Sequence, residues 1–242
     1  MLKHKVFLLW LLYAVTVVLV SAGLFYLGIP QIALLYDHSY LTVVLLALYS
    51  IAEGLSARQA WKISSEQLSA NMLSEWLDHN VLQSVDAGPD GSTILANDNG
   101  GYVIDRSVTA SHVLGLRDMS HSSKVDQSIL LDVMADRLHA GVSTIEFVGS
   151  RIVWIGIMAT ILGVIIAFWP LLGGGLAVEM IRMKLGGFFS GLAVAFIPTL
   201  ASFVFKIALD FGTQILRSGC HDIVNTVAAL SETKILPVLE MR

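Results

Sequence analysis

The sequence predicts an all-α membrane protein with four transmembrane helices and long helices that extend into a cytoplasmic helical domain. Hydrophobic residues make up 55% of the 242-residue chain and charged residues only 14%, against about 25% charged residues in soluble domains. The mean hydropathy is +0.72. Several apolar runs approach the roughly 20 residues that a helix needs to cross a bilayer. Between them, apolar residues recur every three or four positions, which is typical of amphipathic helices.

Composition also excludes several classes of function. The net charge is -4 and no basic block occurs, so we do not expect a nucleic-acid partner. The single cysteine, Cys220, excludes an intramolecular disulfide and a cysteine-based metal cluster. The seven histidines are scattered, and we predict no metal site. No nucleophile lies in a pattern with a base, so we do not predict an enzyme.

Four apolar runs are predicted to span the membrane. The first is longer than the 7 to 15 apolar residues of a secretory signal peptide, so we interpret it as a true span. Gly28 and Pro30 should end it. The second run is short and is either a span or a partly re-entrant segment. The predicted spans are 6–28, 40–53, 152–170 and 186–209.

These runs divide the chain into a transmembrane hairpin, a polar middle domain, a second transmembrane pair and a C-terminal helix that is helical in pattern until Pro237. Within the middle domain, Ser56–Gln83 has the spacing of an amphipathic helix, and Ser84–Gly101 is rich in loop-forming residues. A helix from Asp126 should run directly into the third span, and Leu171–Leu185 should form a turn. The predicted limits are 1–53, 54–150, 151–212 and 213–242.

Basic residues set the predicted orientation. Lysine and arginine are frequent between the second and third spans and follow the fourth, while the first outer turn has none. The second outer turn has only Arg182 and Lys184. By the positive-inside rule, both termini and the middle domain face the cytoplasm.

Small residues form a stripe along each of the last two spans. In lipid such stripes allow helix backbones to approach closely, so packing alone could explain them. The predicted packing face consists of Gly156, Ala159, Gly163 and Ala167 in the third span and Gly187, Gly191 and Ala195 in the fourth.

Two threonines stand out within these stripes. Thr160 and Thr199 each place a hydroxyl near the middle of an apolar span. A single such threonine can bond to its own helix, whereas two on adjacent antiparallel helices could line a polar seam that conducts an ion. Both interpretations stay open on the residues alone.

Motifs around these threonines resemble those of the MotA/TolQ/ExbB proton channel family. Gly156-x-x-x-Thr160-x-x-Gly163 is followed by Phe168, and the next span carries Gly191-x-x-x-Ala195-x-x-x-Thr199. The resemblance covers about 126–212, and the N-terminal hairpin is similar to the four-span MotA type. The chain departs from the family pattern at three positions, which are Ala159, Pro198 and Ser202. Pro198 should kink the fourth span and free a carbonyl.

The resemblance implies an ion-conducting subunit of a motor driven by proton or sodium motive force. It implies a pentamer in the bacterial inner membrane, surrounding two copies of a single-span partner similar to ExbD or MotB, whose membrane aspartate carries the ion. No cofactor is expected beyond the transported H+ or Na+. The expected ion path contains Thr160, Thr199, Pro198 and Ser202, with Lys206 and Asp210 as a candidate ion exit.

Two other functions remain open. A non-conducting oligomeric scaffold would use the small-residue stripes for packing only. A small-solute transporter is disfavoured because the chain has no internal repeat and no charge in the last two spans. The biological output is also open, although the middle domain lacks the charge stripes expected of flagellar rotation.

Overall fold

The structure is a computed structural model that describes residues 4–28, 31, 40–88, 92–97, 100–120, 127–169 and 178–240. Most of these residues are helical. The helices are α1 Lys5–Tyr26, α2 Leu41–His79, α3 Val108–Ser120, α4 Gln127–Phe168, α5 Val178–Leu230 and α6 Leu236–Glu240. The strands are β1 Ser84–Ala87, β2 Thr93–Asn97 and β3 Gly100–Ile104.

Four helices of the described chain are long and apolar enough to cross a membrane, as predicted. They are α1, α2, α4 and the helical stretch Ala195–Leu239, and their most apolar windows have mean hydropathies of 2.3, 1.4, 2.3 and 1.5. Large apolar side chains such as Leu19, Phe25 and Leu200 are more than half exposed within the chain, as expected of surfaces that face lipid or another subunit. These features support a multi-pass membrane protein.

Gly28 ends the first helix, as predicted. Its φ is +75°, a left-handed conformation that glycine adopts without a steric penalty. The Gly28 amide donates to the Phe25 carbonyl at 3.0 Å, and the Leu27 amide donates to the Gly23 carbonyl at 3.1 Å. Pro30, the second predicted helix breaker, lies outside the described residues.

The predicted second span and the predicted amphipathic helix form one continuous helix, α2. No helix-breaking proline lies between Leu41 and His79. The composition changes from apolar to polar at Glu53, but the backbone stays helical across this point. The helix expected from Asp126 also runs into the third span without a break, as α4.

The predicted turn at Leu171–Leu185 is wrong for its second half, because α5 already begins at Val178. Hydropathy identified only the apolar part of this helix. Its first turn contains Glu179 and Met180, which are good helix formers whether or not they are apolar. The first part of the predicted turn, 171–177, lies outside the described residues. At the far end, a π-helical turn at Ser231–Ile235 joins α5 to α6, which contains Pro237 in its first turn, where proline is tolerated.

The loop predicted at Ser84–Gly101 is also wrong, because this segment contributes to a three-stranded antiparallel sheet, and the predicted all-α fold is therefore correct only for most of the chain. The strand order is β1-β2-β3, with Val85 opposite Leu95 and Leu95 opposite Tyr102. Val85 and Leu95 are buried in a core that includes Leu73, Val113 and Ile235. Tertiary burial of alternate residues therefore overrides the local preference of the intervening glycine, asparagine and aspartate residues for loops.

The chain forms two compact units. The apolar unit contains Leu11–Ala57 and Thr144–Thr213, and the sheet unit contains Met1–Trp10, Arg58–Ser143 and Gln214–Arg242. Helices α1, α2, α4 and α5 each contribute residues to both. The cytoplasmic location of the polar domain stays a prediction.

Candidate functional site

The centre of the apolar unit is a close contact between the antiparallel helices α4 and α5. A Cβ atom added to Gly163 would overlap the backbone of Ala195, and one added to Gly191 would overlap the backbone of Ala167. A Cβ atom on Gly156 would overlap the side chain of Ser202. Glycine at three positions along the contact therefore allows the backbones of α4 and α5 to approach closely. The two predicted small-residue stripes face each other.

The two threonines meet within this contact. Thr160 Oγ1 lies 2.5 Å from Thr199 Oγ1. The Thr199 hydroxyl also lies 2.7 Å from the Gly156 carbonyl oxygen on the opposite helix and 3.0 Å from the Ala195 carbonyl oxygen on its own. Thr160 Oγ1 lies 3.3 Å from the Gly156 carbonyl oxygen and 3.5 Å from that of Ala195. We call these four oxygens the threonine cluster.

The threonine cluster is neutral and rich in acceptors. Each hydroxyl carries one hydrogen and two lone pairs, and each carbonyl is an acceptor only. Both threonine side chains are half-buried, so the cluster can present hydroxyl oxygens to a neighbouring group. Such oxygens can ligate a small cation or pass a hydrogen bond along, but they do not titrate in the physiological range.

Pro198 and Ser202 lie next to the threonine cluster on α5. Both are buried, and α5 is helical on either side of Pro198. Proline has no amide hydrogen, so the carbonyl of Val194, four residues earlier, lacks its usual helical donor. The Ser202 hydroxyl donates to the Thr199 carbonyl at 2.7 Å. Pro198 therefore leaves one carbonyl near Thr199 without its helical donor, whereas Ser202 occupies the Thr199 carbonyl.

The other predicted stripe residues occupy the same face. Ala159, Ala167 and Ala195 are fully buried, while Gly187 is half-buried. Phe168, which belongs to the motif, is about half exposed and packs edge-on against Phe188, with ring centroids 5.6 Å apart.

Lys206 and Asp210 form an ion pair one helical turn apart on α5. The aliphatic part of Lys206 lies near Gly149 of α4, whose added Cβ would be 3.3 Å from Lys206 Cδ. The pair is partly exposed and lies about 10–17 Å along the helix from Thr199, at 1.5 Å per residue. Its position is compatible with an ion exit and equally with a lysine that reaches the membrane interface.

Sequence reasoning missed a second polar cluster in the apolar unit, which contains Tyr13, Tyr49 and Glu53. In the sequence, Glu53 marks only the end of the second apolar run. The one local signal was the spacing of Tyr49 and Glu53, which places both on the same face of α2. The contact with Tyr13 joins residues 40 positions apart and has no signature in the sequence.

No group of three or more histidine, cysteine, aspartate or glutamate side chains suited to a metal ion occurs among the residues that the structure describes. Comparisons of the chain with protein-family models, curated proteins and solved structures find no match.

Proposed function

We propose that this chain is the ion-conducting subunit of a membrane motor driven by proton or sodium motive force. The threonine cluster is the observation that carries the proposal. It places two hydroxyls and two backbone carbonyls together, on the facing sides of two helices whose neighbouring residues at this level are mostly apolar. Polar groups in an apolar span must find hydrogen-bond partners inside the protein, and here the partners come from both helices.

A titrating partner completes the proposed mechanism. Neither 152–168 of α4 nor 185–205 of α5 contains an acidic or basic residue, so in this proposal the titrating group comes from elsewhere. An aspartate on a single-span partner, as the motif resemblance implies, would supply it. The chain would form a pentamer around two such partners in a bacterial inner membrane, with its termini and sheet unit in the cytoplasm.

The energetics are consistent with this arrangement. An unpaired carboxylate in the middle of a membrane costs about 2.5–3.5 kcal/mol or more, whereas one charge that crosses 100 mV releases about 2.3 kcal/mol. Hydrogen bonds from the hydroxyls of Thr160 and Thr199 would lower the free-energy cost of that carboxylate. Protonation of the partner aspartate would release it from one subunit, and loss of the proton toward the cytoplasm would let it engage the next.

A non-conducting scaffold is the second candidate. It is favoured by the glycine contacts at Gly163 and Gly191, because these alone account for close packing of α4 and α5. In that case the two hydroxyls bond to each other and to nearby carbonyls and have no further role.

Isolation of the assembled complex separates the two candidates. The tagged chain is extracted from its native membranes in mild detergent, and the mass and composition of the complex are measured. We expect five copies of this chain with two copies of a single-span protein that has an aspartate in its span. A stable complex that contains no such partner would contradict the motor and support the scaffold.

A further inference from the structure

A groove lies between the beginning of α1 and the second half of α5, within the sheet unit. Its volume is about 270 Å³, which is the space that about nine water molecules occupy in the liquid. The buried residues that line it are Val6 and Gly219. A Cβ atom on Gly219 would lie 2.7 Å from Val6 Cγ2 and 3.0 Å from Ile63 Cγ2. The absence of a side chain at Gly219 therefore lets α1 pack directly on the α5 backbone beside the groove.

Two charges of opposite sign line this groove. Lys5 of α1 and Asp222 of α5 are both exposed. Neither forms an ion pair within the part of the chain that the structure describes, either with the other or with a third residue. Ser218, one turn before Asp222, adds a hydroxyl group. The groove therefore offers a cation and an anion to a ligand that carries both signs of charge.

One end of the groove is apolar. It is lined by Leu9, one turn after Lys5 on α1, and by Ile215 of α5. Leu9 is 45% exposed, and Leu12, further along α1, is 64% exposed. Because α1 is long and apolar enough to span a membrane, these side chains continue from the groove along a surface that can face lipid. A ligand with a polar group and a hydrocarbon chain would fit both parts.

An aromatic cluster marks the same level of α1. The ring of Phe7, which lies between Lys5 and Leu9 in the sequence, has its centroid 5.2 Å from that of Trp61 and 6.3 Å from that of Trp10. Trp61 is 57% exposed. Exposed tryptophan rings are frequent where a membrane meets water, because one side of the ring is apolar and its N–H is polar. This part of α1 therefore has the composition of a segment at the level of lipid headgroups.

We propose that the groove binds the headgroup of a phospholipid that carries both a phosphate and a primary ammonium group, as phosphatidylethanolamine does. The Lys5 ammonium donates to the lipid phosphate, and the Asp222 carboxylate accepts from the lipid ammonium. The acyl chains lie along Leu9 and the exposed apolar side chains that follow it on α1. This proposal requires α1 to lie in a membrane, but it does not depend on ion conduction at the threonine cluster.

Asp222 sets the expected lipid specificity. Phosphatidylglycerol would bring a phosphate toward this carboxylate without a cation to compensate for the repulsion. Phosphatidylcholine has a cationic headgroup, but its methylated nitrogen has no hydrogen to donate to the carboxylate. We therefore expect phosphatidylethanolamine to bind more tightly than either of the other two lipids.

Native mass spectrometry measures this preference. The assembled protein is purified in detergent and titrated with each of the three lipids, all with the same acyl chains. Phosphatidylethanolamine should occupy the protein at the lowest concentration. Equal binding of phosphatidylethanolamine and phosphatidylglycerol would overturn the proposal.

Substitutions in the groove assign the preference to its two charges. Lys5→Gln and Asp222→Asn should each weaken the binding of phosphatidylethanolamine about fivefold, as expected for the loss of one contact between charged groups. Asp222→Asn should leave phosphatidylglycerol binding equal or stronger, a change of preference that a purely structural role of Asp222 does not produce. Lys62→Gln and Asp136→Asn, at exposed positions outside the groove, are the matched controls and should bind like the parent. Equal losses in the controls would contradict the assignment.

Photochemical crosslinking locates the lipid independently of its affinity. A phosphatidylethanolamine with a photoreactive group on its acyl chain, close to the glycerol, is incorporated into vesicles with the protein. Labelled peptides should be concentrated around Leu9 and Ile215, and labelling there should fall in Asp222→Asn. Labelling spread evenly over all the apolar helices would contradict the proposal. So would dissociation of the oligomer by Lys5→Gln or Asp222→Asn without loss of labelling, because the groove would then be a contact between copies of the chain.

Discussion

Gly163 of α4 and Ala195 of α5 are in backbone-to-backbone contact, so close that a single methyl group at position 163 would overlap the N and Cα atoms of Ala195. The same relationship recurs between Gly191 and Ala167. Contacts of this kind set the separation of the two helices and bring the hydroxyls of Thr160 and Thr199 within hydrogen-bonding distance. The threonine cluster therefore depends on the absence of a side chain at Gly163 and Gly191.

Gly163→Ala should destabilise the apolar unit. The added methyl group cannot be accommodated without movement of the α5 backbone, and overpacking of this kind costs about 1–3 kcal/mol. Gly186→Ala is the matched control, because a Cβ atom there meets nothing within 4 Å and alanine is the better helix former. Thermal unfolding in detergent should show a lower midpoint for the first variant only. Equal unfolding midpoints for Gly163→Ala and Gly186→Ala would contradict the prediction, because they would mean that α4 and α5 move apart at little cost in free energy.

Glu66→Ala should destabilise the sheet unit. Glu66 is 8% exposed, and both of its carboxylate oxygens lie 3.1 Å from the amide nitrogen of Val108, at the start of α3. Loss of this cap should cost about 1 kcal/mol, as for other N-terminal helix caps. Alkylation of Cys220, the single and fully buried cysteine, reports the opening of the unit. The rate of Cys220 alkylation should rise in Glu66→Ala. It should stay unchanged in Glu75→Ala, a change at an exposed position on the same helix.

His112 should make the sheet unit less stable in mild acid. Its side chain is 3% exposed, and Nε2 lies 3.2 Å from Ser231 Oγ. Burial lowers the pKa of His112 from its ordinary value of 6.5, so the unfolded chain binds a proton more readily than the folded chain. The contribution of His112 is complete above pH 6.5 and is lost as the pH falls through the lowered pKa of the folded state.

A pH series of thermal unfolding between pH 8 and pH 5 measures this contribution. The midpoint of the parent protein should fall toward acid, and the fall should be smaller in His112→Gln. His79→Gln, at an exposed histidine, serves as the control and should follow the parent. An identical acid dependence in His112→Gln and the parent would contradict the assignment.

The sequence was most informative where structure depends on local pattern. Apolar runs predicted four membrane helices, and three-to-four periodicity predicted that the helix from Asp126 would enter the third span. Apolar runs and three-to-four periodicity both depend on residues that are close together in the sequence. The facing of the small-residue stripes followed from the same periodicity, combined with the short connection between the last two spans.

Features that depend on distant contacts could not be predicted in this way. The strands have only four or five residues, and Leu95 is buried by helices far away in the chain. The contact of Tyr13 with Ala208 spans 195 residues. The start of α5 at Val178 was missed for a different reason, because hydropathy detects membrane burial and not helix limits.

Proton flux through reconstituted complexes tests the central claim most directly. Vesicles contain the chain, the single-span protein proposed above as its partner and a pH-sensitive dye, and flux is measured under an imposed membrane potential. Thr160→Val and Thr199→Val should each reduce the flux at least about tenfold, equivalent to about 1.4 kcal/mol in the barrier, while the oligomer stays intact. Thr16→Val is the matched control, because this exposed hydroxyl of α1 donates to the Leu12 carbonyl of its own helix. Undiminished flux in the Thr160→Val, Thr199→Val double variant would contradict the account.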